Sequence, residues 1–240
     1  MNHRAVQRAL FRMQLDPGFA ARLRAGGAAP GLGAAELALL RGADAAGLSA
    51  DRDRRRRGQF LRNVSGEFAR SCAAGVSAEA FTSSPEFHAA VAGDASLPLA
   101  FGSYAARCSA SGSRAQRALV ALERALARAR RELRAEVAPG PGELMLAPRA
   151  WLVTLPAGTL ELAAGARAAL APAGEETVLV LGARERAPFR LREVEAELVS
   201  PDLARLLESL ERPRSRCELR ADGNGIVDEL LADGVLVEAT

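Results

Sequence analysis

The sequence predicts an α+β protein in two parts, and three observations carry that expectation. Up to about residue 137, apolar side chains recur at helical spacing in an Ala- and Leu-rich background. Ala138 to Gly142, APGPG, then supplies two prolines and two glycines that no helix continues through. Beyond it, short strand-like runs alternate with short helices. The expected organisation is a helical domain over residues 1–138, a linker at 139–142, and an α+β domain over 143–240.

In the first part, Val6, Leu10, Met13 and Leu23 define one helical face, interrupted by Asp16-Pro17. Residues 26–33 form a loop, and 34–45 a short helix carrying Leu37 and Leu40. Ser49 is an expected cap for a helix over about 50–73, with Phe60, Leu61, Val64 and Phe68 inward. Ser77 caps the next helix, and Ser84-Pro85 opens another by placing proline at the first helical position. Ser113 begins a helix expected to run to about Val137, with Leu119, Leu122, Leu126 and Leu133 on one face.

In the second part, Leu144-Met145-Leu146 and Trp151 to Leu155 read as strands, while 159–170 is ambiguous. Thr177 to Val194 is the clearest paired-strand signal. Val178-Leu179-Val180-Leu181 is apolar on both faces, and Phe189 and Leu191 alternate with Arg190 and Arg192. Ser200-Pro201 opens a helix through Leu203, Leu206, Leu207 and Leu210, stopped by Pro213. A last helix over about 225–232 leads through Gly234 into a terminal strand at 235–237. Hairpin, helix, turn, helix, strand is the order of parts in a winged-helix-like domain, which leaves function open.

Composition narrows the function classes. At 240 residues with 49% hydrophobic and 25% charged side chains, the chain is expected to be globular over most of its length. No run of about eighteen apolar residues and no opening apolar segment occur, so a soluble, cytoplasmic protein without a membrane partner is expected. Every basic side chain is Arg, and the net charge of +3 argues only weakly for nucleic acid. Cys72, Cys108 and Cys217 are odd in number and widely spaced, which disfavours a disulfide framework or zinc site and reads them as small buried hydrophobes. His88 lacks a second imidazole outside the amino-terminal stretch, so a structural role is expected and no catalytic or metal site is assigned. Asp222 to Gly225 reads as a turn, because its carboxylate spacing does not match a calcium loop.

The remaining candidates concern binding. Arg52 and Arg54 to Arg57 form a charged run suited to phosphates, to an acidic protein surface or simply to solvent. Phe101 and Tyr104 lie one helical turn apart and suit either an interface anchor or the core, and Trp151 carries the same alternatives. A small sheet has edges that must be paired, covered or used. The hairpin residues Val178, Val180, Phe189, Leu191 and Val194 therefore suit an edge that holds a peptide strand, with Val227, Leu230 and Leu231 of the last helix as a groove wall or as core.

Several segments carry a family resemblance: Val6 to Leu23 with Leu10-Phe11 and Leu15-Asp16-Pro17; Asp51 to Phe68; Phe81; Phe87-His88; Leu97-Pro98; and Phe101-Gly102-Ser103-Tyr104. With these the chain resembles the helical partner proteins of multinuclear non-haem iron-dependent oxidative enzymes, the group that includes the partner subunit of methanobactin biosynthesis. The carboxy-terminal part is similar to the peptide-recognition elements of ribosomal-peptide pathways. The resemblance implies a non-catalytic subunit with no cofactor of its own, which binds the iron enzyme as a heterodimer or higher assembly and presents a precursor peptide by strand addition. On that basis Arg54, Arg55, Phe101, Tyr104 and Trp151 are the expected partner interface. A winged-helix DNA-binding regulator is the alternative, and a helical scaffold a third.

Overall fold

The computed structural model describes residues 2–44, 50–133, 139–165, 170, 173–183, 193–222 and 225–238. The chain forms two compact units, Met1–Ser111 and Gly112–Thr240. The division falls at Ser111/Gly112, ahead of the linker expected at 139–142, because the helix that opens the second unit belongs to its sheet.

The first unit contains α1 (His3–Leu15), α2 (Pro17–Arg24), α3 (Ala34–Asp44), α4 (Ala50–Glu67), α5 (Ala69–Ala73), α6 (Ala78–Phe81), α7 (Pro85–Gly93) and α8 (Leu97–Cys108). Local chemistry sets several starts. The side chains of Asp16, Ser77 and Ser84 accept from the backbone N–H of Phe19, Ala80 and Phe87, each closing an orphan donor of the first turn. The helix expected over 50–73 breaks at Phe68, whose φ of −115° and ψ of 44° leave the helical region and whose fully buried ring lies 5.0 Å from that of Phe101. Packing there overrides helix continuation. Phe81 centres the aromatic cluster, with ring centroids 5.2–5.6 Å from Phe101, Phe87 and Tyr104. A second cluster joins Val6, Ala9, Phe19, Leu23, Ala29 and Leu40.

The second unit runs α9 (Arg114–Ala129), β1 (Glu143–Leu146), β2 (Ala150–Pro156), α10 (Thr159–Ala163), β3 (Glu175–Gly182), β4 (Val194–Val199), α11 (Pro201–Ser209), β5 (Arg214–Ser215), α12 (Arg216–Asp222), α13 (Ile226–Ala232) and β6 (Leu236–Glu238). Two three-stranded antiparallel sheets result, ordered β5-β1-β6 and β2-β3-β4. The mixed helix and sheet content fits the α+β expectation. Ser113 and Ser200 cap α9 and α11 as expected. α9 ends at Ala129, short of Val137, and Leu133 is 47% exposed rather than inward.

The double-sided apolar run of β3 is explained by its two coverings. Val178 and Val180 pack with Leu122 and Ala129 of α9 on one face, joined by Trp151, Val194 and Ala196. Leu179 joins Leu207, Leu210, Val227, Leu230, Leu144 and Leu146 on the other, with Leu181 and Val199 at its margin. Burying both faces of a central strand is what makes it continuously apolar.

The strand paired with β3 differs from expectation. It begins at Val194 and runs to Val199, pairing Gly182 with Val194 and Thr177 with Val199. Phe189 and Leu191 lie outside the described residues.

Candidate functional site: the free edge of β4

The ladder register decides which main-chain groups of β4 are free. Ala183 donates to the Glu193 carbonyl at 2.8 Å, which makes 183 and 193 a hydrogen-bonded pair in the β3–β4 register. Such pairs recur at every second residue of an antiparallel ladder. Glu195, Glu197 and Val199 thus turn their N–H and C=O toward β3, and Val194, Ala196 and Leu198 turn theirs outward. No strand among the described residues pairs with that outer edge.

The opposite edge, β2, is less open. Gly182 donates to the Arg149 carbonyl at 3.0 Å, so by the same alternation the outward positions of β2 are Ala150, Leu152, Thr154 and Pro156. Pro156 has no N–H to offer, and Ala150 donates instead to Ala147 at 2.9 Å. β4 is the edge with a donor at each of its outward positions.

Side chains give that edge two characters. Val194 and Ala196 lean into the α9 cluster, while Leu198, opposite Val178 on the same face, is 50% exposed. On the other face Glu195 and Glu197, opposite Leu181 and Leu179, are exposed, and Glu193 continues the row. Sequence reasoning did not single out Glu195, Glu197 or Leu198. The alternation Val194-Glu195-Ala196-Glu197-Leu198, running up to the Ser200-Pro201 helix start, was the signal that could have found them.

The expected site residues are distributed otherwise than a single groove requires. Val178 and Val180 are fully buried against α9, so they support the sheet from beneath and present nothing to a peptide; Val194 alone of the described hairpin set lies on the edge strand. Val227 and Leu230 are core and Leu231 packs at the core margin, because α13 seals the sheet face that carries Leu179. The opening that α13 does flank, about 670 Å³, lies against α11 and is lined by Leu203, Leu206, Leu219, Ile226 and Val227.

Of the expected partner interface, Phe101 and Tyr104 are buried and take the core alternative, because Phe68 and Phe81 pack on Phe101 and Phe81 packs on Tyr104. Burial, followed by the hydrogen bond with Cys108, pushes the Tyr104 phenol up to about 12. Trp151 is half-buried on β2, with the Arg128 guanidinium 4.4 Å from its ring centroid. Arg54 and Arg55 are exposed on α4.

His88 joins two parts of the first unit. Its Nε2 lies 3.1 Å from Asp16 Oδ2 and 2.8 Å from an Arg12 guanidinium nitrogen, tying α7 to the α1–α2 junction. Burial would raise the Asp16 carboxyl, but the Phe19 N–H, His88 and Arg12 outweigh it and hold the group below the usual carboxylate range. The cysteines depart from expectation: Cys72 is half-buried, while Cys108 and Cys217 are exposed, and none of the three forms a disulfide. Among the described residues no group of three or more His, Cys, Asp or Glu is placed to hold a metal ion, and no helix is long and apolar enough to cross a membrane. The turn expected at 222–225 includes residues outside those described. Compared with known proteins, the chain matches no family model and no curated sequence.

Proposed function

We propose that this chain is a non-catalytic partner subunit that holds a ribosomally made precursor peptide by strand addition and presents it to a multinuclear iron oxidative enzyme. The supporting observation is the outer edge of β4, where Val194, Ala196 and Leu198 turn N–H and C=O groups away from the sheet. A peptide strand laid there gains main-chain hydrogen bonds, and side-chain neighbours supply specificity. The resemblance to peptide-recognition elements supports the same reading, and the mixed helix and sheet content of the second unit is compatible with it. Iron belongs to the partner in this reading, and this chain contributes docking alone.

Affinity capture tests it. The tagged chain, exposed to lysate of its source organism under nuclease treatment, should retain an iron-containing protein together with a short peptide. Ala196→Pro should release the peptide while the iron protein stays. Retention of nothing but nuclease-sensitive material would favour the DNA-binding regulator.

A further inference from the structure

From the side chains flanking the free edge of β4 we infer that the strand it accepts carries basic residues at alternate positions, with apolar residues between them. This rests on the strand-addition reading and adds the chemistry of the occupant. The outward main-chain groups belong to Val194, Ala196 and Leu198. An antiparallel strand added there forms hydrogen-bonded pairs with those three residues and non-hydrogen-bonded pairs with Glu195 and Glu197. Non-hydrogen-bonded pairs bring side chains closest, with Cα atoms about 4.5 Å apart. The incoming residues opposite Glu195 and Glu197 therefore meet carboxylates directly.

Both carboxylates are exposed, Glu193 extends the row, and none of the three makes an ion pair among the described residues. On the opposite face the incoming side chains lie beside Leu198, whose exposed half offers apolar contact. A row of acids on one face and an aliphatic neighbour on the other complement a strand of the pattern basic–apolar–basic. An acidic strand would set like charges opposite one another, which is destabilising. The same carboxylates also deter a second copy of this edge from pairing with itself, since each chain would bring its own acids.

The test uses the full chain and four capped, fluorescently labelled nonapeptides: Arg alternating with Val, Glu alternating with Val, the Arg peptide with its arginines in one block, and the Arg peptide with a central Pro. Fluorescence anisotropy at physiological salt should show the alternating Arg peptide binding at least about tenfold more tightly than the other three. Glu195→Arg combined with Glu197→Arg should reverse the preference between the Arg and Glu peptides. Ala196→Pro, which removes an outward donor and no β3 bond, should abolish binding while leaving the fold intact by circular dichroism. Equal binding of the Arg and Glu peptides, both lost in Ala196→Pro, would overturn the charge selection and leave strand addition standing. Binding of the blocked-Arg peptide as tightly as the alternating one would overturn the register. No binding by any peptide would overturn both the inference and strand addition at β4.

Discussion

Replacing Asp16 with Ala removes a buried side chain that joins α1, α2 and α7. Its carboxylate is 1% exposed, accepts the Phe19 N–H at 2.9 Å as the cap of α2, accepts from Ser83 Oγ at 3.3 Å, and lies 3.1 Å from His88 and 3.6 Å from Arg12 Nε. Loss of the cap costs about 1 kcal/mol, and loss of charged hydrogen bonds about 1.5–3 kcal/mol more. The expected destabilisation is about 3 kcal/mol. Asp16→Asn keeps an acceptor for the cap and should cost about 1 kcal/mol. Urea unfolding followed by NMR separates the units, because the single tyrosine, Tyr104, reports the first and the single tryptophan, Trp151, the second. Asp16→Ala should move the Tyr104 midpoint. Because the folded-state pKa of Asp16 is depressed, its stabilisation is present above the unfolded carboxylate pKa and is lost as pH falls through the folded value. The stability difference between wild type and Asp16→Asn should therefore shrink on acidification. A destabilisation of Asp16→Ala below about 1 kcal/mol would refute the assigned role.

Three further outcomes follow from named contacts. Phe101→Ala, which removes a fully buried ring packed on Phe68, Phe81 and Tyr104, should lower stability by about 3–5 kcal/mol and broaden the Tyr104 ring signals; an unchanged midpoint would contradict the cluster. Arg128→Ala removes the guanidinium stacked on Trp151 and should shift the indole emission while costing about 0.5–1 kcal/mol at the Trp151 midpoint. Glu86, paired with Arg107 at 2.6 Å, has its pKa held at about 2, so its contribution persists above 4.5 and disappears as pH falls toward 2. Glu86→Gln should flatten the acid limb of the stability curve, read from the urea midpoint as a function of pH.

Local signals were the most legible part of the fold. Ser77, Ser84-Pro85, Ser113 and Ser200-Pro201 name helix starts through side chain–backbone hydrogen bonds that need no distant partner. β1, β2 and the double-sided β3 were also readable. What failed depended on tertiary placement. The break at Phe68 arises from its ring packing on Phe101, a partner distant in sequence. Leu122 and Ala129 of α9 pack on Val178 and Val180 of β3 across a long stretch of sequence, so the domain division at Ser111/Gly112 had no local marker, whereas APGPG was conspicuous. For the candidate site, the existence of an edge was legible but its residues were not. Val178 and Val180 carry the strand signal because they are core, and the edge itself is written in the plainer alternation of residues 194–198.

The most direct measurement is residue-resolved amide hydrogen exchange of β4, by NMR on the full chain with and without the alternating Arg–Val peptide. The Glu195 and Glu197 amides should be protected in both states, because they bond to β3, and the Val194, Ala196 and Leu198 amides should become protected when peptide is added. Protection that leaves those three amides unchanged while peptide is bound would contradict strand addition at this edge.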